Sequence, residues 1–372
     1  MASSSLRSET SAIKLAIVVG TRPEIVKMAP LIRVANARGM RPLVAHTGQH
    51  YSFEMDAVFF HELGLPEADV NLEVGSGPAA GQLAAIVEGM GTWVEREKPD
   101  WVLVEGDTNS VLGAALAAHK SGVRVGHVEA GLRSFDRGMP EELNRILTDH
   151  IADLLFAPTE RAAAQLASEG FADGKVQVTG NTVVDELLFQ RERGLANGVL
   201  EKHGASPRRY ILATFHRAEN TDDVSRLRGI VDGLAGSAAR LGMPVFCALH
   251  PRTRARLREL CLTLPEDVRV LPPLPYLEFL GLHAEAALML TDSGGLQEEA
   301  CVLRVPCVTM RDNTERPESL EVGANRLAGA DAARIVEAAA AMIGVPRDWK
   351  QPFGDGRAAE RILDSLVSGG GL

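Results

Sequence analysis

Short apolar runs that stop abruptly at glycine or at a charge, each followed by apolar positions three and four apart, make up most of this chain. Residues 15–19 end at Gly20 and lead into Ile25, Met28, Leu31, Ile32 and Ala35, which predicts strand, turn and helix. The same rhythm predicts strands at 42–46, 101–104, 123–128, 154–157 and 176–179, with helices near 53–63, at 80–96 and at 110–119. These β runs are continuously apolar rather than alternating, the pattern of parallel strands buried beneath helices on both faces.

After a helical segment at 182–200, the polar run 201–209 carries Gly204 and Pro207 and reads as a linker, and the rhythm then restarts. Strands are expected at 210–214, 244–249, 268–271, 287–291 and 306–309, and helices at 223–240, 253–263, 296–303 and 332–342. A last helix, 356–367, is expected to cross back onto the first half. The fold class expected is α/β, with two Rossmann-like doubly wound domains facing a cleft. Residues 12–182 plus a C-terminal helix at 354–370 form the first, residues 183–353 the second, and residues 1–11 a disordered tail.

A chain of 372 residues fits two domains, and 45% hydrophobic with 24% charged residues is ordinary for a globular protein. The net charge of -10 speaks against a nucleic-acid surface, which calls for a basic stripe. The first dozen residues lack an apolar core before a cleavage site, and no apolar run suits a membrane span, so a cytoplasmic protein with no membrane partner is expected. Cys247, Cys261, Cys301 and Cys307 lack the close pairing of a zinc site and are expected to be reduced core thiols, with no metal bound. Only seven of the 39 basic residues are lysines, which singles out Lys27.

Candidate chemistry gathers at the ends of the strands. The densest charge, HVEAGLRSFDRGMPEELNR at 127–145, packs Glu129, Arg133, Asp136, Arg137, Glu141, Glu142 and Arg145 directly behind an apolar run. Active groups of an open α/β sheet sit at the carboxyl ends of strands, where Glu129 falls, and Pro140-Glu141-Glu142 reads as a helix start. Glu129 and Glu141 are candidates to face one cleft; the alternative is a solvated loop before a charge-complemented helix. In Gly20-Thr21-Arg22-Pro23, a guanidinium and helix-start amides, with Lys27 a turn further on, suit a diphosphate or make an ordinary βα turn. This is neither a dinucleotide fingerprint nor a P-loop. Asp107, in Glu105-Gly106-Asp107-Thr108, is a candidate acid or base, or a helix cap. His216-Arg217 and His250-Pro251-Arg252 end two further strands with a proton carrier beside a cation. In Asp292-Ser293-Gly294-Gly295, backbone amides can approach phosphate oxygens, and Glu299 can accept a ribose diol; the alternative is a helix capped by Ser293.

Taken together, GTRPEIVKMAP, EGDT, HVEAGLR, MPEELNR, HRAEN, LHP, DSGGLQEE and TERPE resemble, in order and across residues 14–330, the UDP-N-acetylglucosamine 2-epimerase family. The resemblance implies the GT-B arrangement, with the nucleotide on the C-terminal domain and the sugar between domains, and a homodimer. It implies catalytic roles for Asp107, Glu129, Glu141 and His216. Substrate binding is implied for Arg22, Lys27, Arg133, Arg217, Asn220, His250, Ser293, Gly294, Gly295 and Arg316, with Glu299 on the ribose. The segment from Leu274 to Phe279 falls on the uracil side, with Leu274-Pro275 where other members place a polar residue before the tyrosine. Gln49 and His50 match part of a second, activating UDP-sugar site, but Tyr51-Ser52 follows where those members carry polar or basic side chains.

The chemistry implied needs no cofactor. The C2 hydrogen of such a sugar has no adjacent carbonyl, so it leaves only as UDP departs from C1. A second carboxylate then protonates the glycal on its other face, and UDP adds back. Competing readings are epimerisation of a 3-acetamido uronic-acid derivative, which SFDRGMPEE resembles more closely, and a hydrolysing epimerase. A retaining glycosyltransferase and a silent UDP-sugar sensor remain as further alternatives.

Overall fold

A computed structural model describes residues 13–49, 59–196 and 198–368, so the expected tail, His50 and most of the helix near 53–63 lie outside the described residues. The chain divides into two units: residues up to Thr182 together with those from Arg357 onward, and Val183–Gly356. Both are parallel α/β sheets flanked by helices.

The first unit holds β1 (Leu15–Val19), β2 (Leu43–His46), β3 (Val70–Asn71), β4 (Trp101–Glu105), β5 (Arg124–Val128), β6 (Leu154–Ala157) and β7 (Val176–Val178). They lie in the order β3-β2-β1-β4-β5-β6-β7. The second holds β8 (Ile211–Thr214), β9 (Val245–Ala248), β10 (Val268–Leu271), β11 (Leu288–Thr291), β12 (Cys307–Thr309) and β13 (Asn325–Leu327), ordered β10-β9-β8-β11-β12-β13. Every pairing is parallel. The central strands are buried along their whole length, as their continuous apolar runs require. Strand order reverses between β1 and β4 in one unit and between β8 and β11 in the other, and ligands of such sheets bind beyond the carboxyl ends at the reversal. Gly20-Thr21-Arg22 and Glu105-Gly106-Asp107 follow the first pair, His216-Arg217 and Asp292-Ser293 the second.

At the first reversal the backbone passes close to a neighbour: a Cβ on Gly20 would lie 2.0 Å from Ser110 Oγ, so only glycine fits. The last helix, Ala358–Ser368, packs on helix Arg22–Ala37 within the first unit, with Arg38 paired to Asp364 at 2.7 Å.

Three expectations change. The polar run 201–209 lies inside the second unit, where Lys202 and His203 pair with Glu278 at 2.8 and 2.5 Å, and is not a linker. Strands β3 and β13, both at sheet edges, and helices Glu160–Ser168 and Tyr276–Ala284 were not expected. Cys247, Cys301 and Cys307 are buried free thiols, but Cys261 is exposed. No described helix is long and apolar enough to cross a membrane.

Candidate active site

In the first unit the loops after β1 and β4 are tied together by Glu24, which the sequence reading passed over. Its buried carboxyl accepts the Gly20 amide at 2.6 Å, the Thr21 hydroxyl at 3.1 Å and the Thr108 hydroxyl at 2.7 Å. Burial pushes this carboxyl up to about 7, the hydrogen bonds opposing and nearby Asp107 adding. The signal was present: Thr21-Arg22-Pro23-Glu24 has the spacing of a capping box, in which the glutamate reaches back to the helix entry.

Thr108, not Asp107, caps helix Asn109–Lys120, accepting from the amides of Ser110 and Val111 at 3.1 and 3.4 Å. Asp107 is thereby free of the capping role and instead accepts from Arg145 on helix Pro140–Ile151, while Asn144 of that helix donates to the Asp107 carbonyl at 2.9 Å. Asp107 and the MPEELNR helix are thus held together.

Glu129 directly follows β5 with φ +67, a left-handed conformation that costs a residue bearing a Cβ about 1–3 kcal/mol and persists only where surroundings fix it. Lys27 Nζ stands 2.5 Å from its carboxylate and 2.8 Å from that of Glu105, which ends β4, and the Asn181 amide donates to Glu129 at 3.0 Å. Lys27, expected on a diphosphate, is therefore engaged by two carboxylates. Arg22 lies over the Phe59 ring, 5.6 Å from its centroid.

Glu141 is exposed in the first helical turn, on the same helix as Arg145. Glu142 beside it is buried and holds the preceding turn by accepting the amides of Ser134 and Phe135 at 2.8 and 3.0 Å. Two further expected ligands are buried and hydrogen-bonded within the protein. Arg133 is buried with its guanidinium taken up by Glu169, by Asp149 at 2.7 Å and by the Leu132 carbonyl at 2.8 Å. Gln49 is buried too, its side-chain oxygen accepting from the Ser110 hydroxyl at 2.6 Å.

In the second unit the organiser is Asp292, also passed over. Fully buried, it accepts the amides of His216 at 3.1 Å and Arg217 at 3.0 Å and the side chain of Asn220 at 3.0 Å, locking the loop after β8 to the loop after β11. Asn220, expected to touch substrate, is fully buried, donating also to the Met310 carbonyl at 3.0 Å and accepting from Arg226 at 3.0 Å. His216 keeps an accessible ring 6.1 Å from that of His250. Crowding by protein atoms lowers its pKa below the usual imidazole value; Asp292 opposes, while Arg217 and His250 add. His250 caps its own helix, accepting from the Arg252 amide at 3.2 Å.

Ser293 precedes helix Gly294–Val302 without a side-chain cap, so the alternative of a serine-capped helix falls away and the amides at the helix start stay open to an anion. A Cβ on Gly295 would meet nothing within 4 Å. Glu299, one turn on, lies 3.7 Å from His283 Nδ1. Leu274 and Phe279 are half-buried against the core of this unit, Phe279 on the helix that begins at Tyr276. Arg316, expected as a phosphate ligand, is buried and pairs with Glu298 at 3.0 Å. Arg311 forks onto Glu315 at 2.9 and 3.0 Å and reaches Glu219 at 3.0 Å. Glu315, which burial alone would raise, is brought down to about 2 by that fork.

Comparisons with known proteins agree in both sequence and fold. A family model described as UDP-N-acetylglucosamine 2-epimerase matches residues 32–367. A UDP-N-acetylglucosamine 2-epimerase of Methanocaldococcus jannaschii is 46% identical, covering 96% of this chain and 100% of the relative. A UDP-2,3-diacetamido-2,3-dideoxy-D-glucuronate 2-epimerase of Pseudomonas aeruginosa is 41% identical, covering 95% and 99%. The crystal structure of the M. jannaschii enzyme in complex with UDP-GlcNAc and UDP superposes with a TM-score of 0.89, at 46% identity over 96% of this chain and 100% of that one. The Neisseria meningitidis UDP-GlcNAc 2-epimerase bound to UDP-GlcNAc gives 0.87 at 33% identity, again over 96% and 100%.

Proposed function

Since the chain belongs to the UDP-N-acetylglucosamine 2-epimerase family, we propose that it is an isomerase interconverting UDP-N-acetylglucosamine and UDP-N-acetylmannosamine by elimination and re-addition of UDP. A carboxylate takes the proton from C2, the C2–H electron pair becomes the C1–C2 double bond, and the C1–O bond breaks with its pair leaving on UDP. In return, a second carboxyl delivers a proton to the other face of C2 while the UDP oxygen attacks C1. Two faces require two acid-base groups, and Asp107, Glu129 and Glu141 are the candidates in the first unit.

Departing UDP carries the developing charge. The open amides of Gly294 and Gly295, with Arg217, suit its phosphates, and Glu299 its ribose. His216 begins with a lowered pKa, and an anion beside it would raise that pKa again, so it gains a proton as UDP forms. Arg22 and His250 complete the proposed ligand set, with Leu274 and Phe279 toward the base. No cofactor enters any of these steps.

The observation that carries the reading is the division at the two strand reversals: strand-end carboxyls in one unit, an uncapped helix start with a histidine and an arginine in the other. Incubation with UDP-N-acetylglucosamine in deuterated water tests it. Deuterium at C2 of intact UDP-sugar supports it, free sugar with UDP indicates hydrolysis, and turnover without exchange removes the proton chemistry. A second reading, a 2,3-diacetamido uronic-acid substrate, draws on the P. aeruginosa relative, and supplying both sugars separates the two. The higher identity of the M. jannaschii relative favours the simpler sugar. Action as a homodimer in the cytoplasm is part of the proposal; light scattering and cell fractionation check it.

A further inference from the structure

We propose that Glu105 is a positioning residue for this reaction: it carries a proton in the resting enzyme and so leaves Lys27, which it shares with Glu129, as the counter-ion of an ionised Glu129. The inference rests on Glu129 being one of the acid-base groups.

Lys27 Nζ lies 2.8 Å from Glu105 and 2.5 Å from Glu129. The three side chains are only 15%, 1% and 6% exposed, respectively. One ammonium between two ionised carboxylates leaves these three buried side chains with a net negative charge, whereas one neutral carboxyl balances them. The donors decide which carboxyl stays neutral. Glu129 receives a further hydrogen bond from the Asn181 amide at 3.0 Å, which stabilises charge there. Among the described residues, Glu105 has Lys27 as its one hydrogen-bond donor.

The charged groups facing Glu105 are Lys27 and Glu24 from helix Arg22–Ala37 and Glu129 from the end of β5. Burial holds its carboxyl well above the usual carboxylate range; Lys27 opposes, and Glu129 and then Glu24 add. As pH rises and Glu105 ionises, it competes with Glu129 for Lys27. Turnover therefore falls on the alkaline side through a proton that never touches the substrate.

Glu105→Gln keeps the shape and fixes the neutral form. In the full-length protein at neutral pH, the infrared spectrum of the wild type minus that of Glu105→Gln is expected to show the carbonyl stretch of one protonated carboxylic acid. Because this requires no turnover, it decides the point even if the epimerase reading fails. In kinetics, the alkaline limb of the kcat profile is expected to move up by about one pH unit or more in Glu105→Gln, with KM for the UDP-sugar unchanged. A merely structural side chain would not move that limb. Absence of the carboxylic band, or an alkaline limb that stays or moves down, overturns the proposal.

Discussion

The two units share the strand order around their reversals, yet Glu24 and Glu105 in the first and Glu315 in the second are shifted in opposite directions. In the first, burial pushes Glu24 up to about 7 and holds Glu105 well above the usual carboxylate range. In the second, Glu315 is brought down to about 2 by the Arg311 fork, and Asp292 is spent on backbone amides. The difference lies in the company each of these acids keeps: hydroxyls, an amide and one lysine shared by two carboxylates around Glu24 and Glu105, a bidentate guanidinium at Glu315. One sheet end is suited to moving protons and the other to holding a fixed anion.

Removing the proton chemistry should have the largest effect. Asp107→Asn, Glu129→Gln and Glu141→Gln are each expected to lose about 10²-fold or more in kcat, the usual scale of general acid-base catalysis. Steady-state assays with intact UDP-sugar as product check this, and wild-type turnover in any of them removes that residue.

Stability against pH sharpens the contrast. Glu24 has a folded pKa of about 7 against an ordinary 4.5, so its contribution is present below the lower value and is lost as pH rises through the higher one, a change of about 3 kcal/mol. Glu315 has the opposite sign, its contribution being present above 4.5 and lost as pH falls toward about 2. Denaturant titrations across pH, read from Trp93 and Trp101 in the first unit with Trp349 replaced by Phe, should show the alkaline loss. Glu24→Gln should flatten it, and an unchanged slope would refute the assignment.

Gly295→Ala should act on the second unit alone. The added methyl meets nothing within 4 Å in the protein, so folding is retained, but it stands at the open helix start. UDP affinity measured by calorimetry is expected to fall about tenfold, or 1.4 kcal/mol. The smallest effect belongs to Thr108→Ala, which loses a helix cap worth about 1 kcal/mol and one bond to Glu24, measurable as a lower denaturation midpoint.

Much of this was legible in the sequence because buried parallel strands leave uninterrupted apolar runs: β6 and β10 coincide with the runs that predicted them. The edge strands β3 and β13 are two and three residues long and only partly buried, too little apolar pattern to read. Strand-end position picked out Asp107, Glu129, His216 and Ser293, but it could not show what each side chain bonds within the protein. Arg133, Asn220 and Arg316 sit in the same motifs, and their partners Glu169, Asp292 and Glu298 are distant enough in sequence that only folding reveals them. Glu24 and Asp292 were missed for the converse reason, since their roles are to bond backbone and hydroxyl groups of other loops.

The central claim, that proton transfer at C2 belongs to carboxyls of the first unit and that UDP is held without them, chiefly by the second, is tested most directly by titrating UDP into the triple variant Asp107→Asn, Glu129→Gln, Glu141→Gln. The account predicts a dissociation constant within about threefold of wild type, less than 1 kcal/mol. Loss of UDP binding in that variant would contradict it.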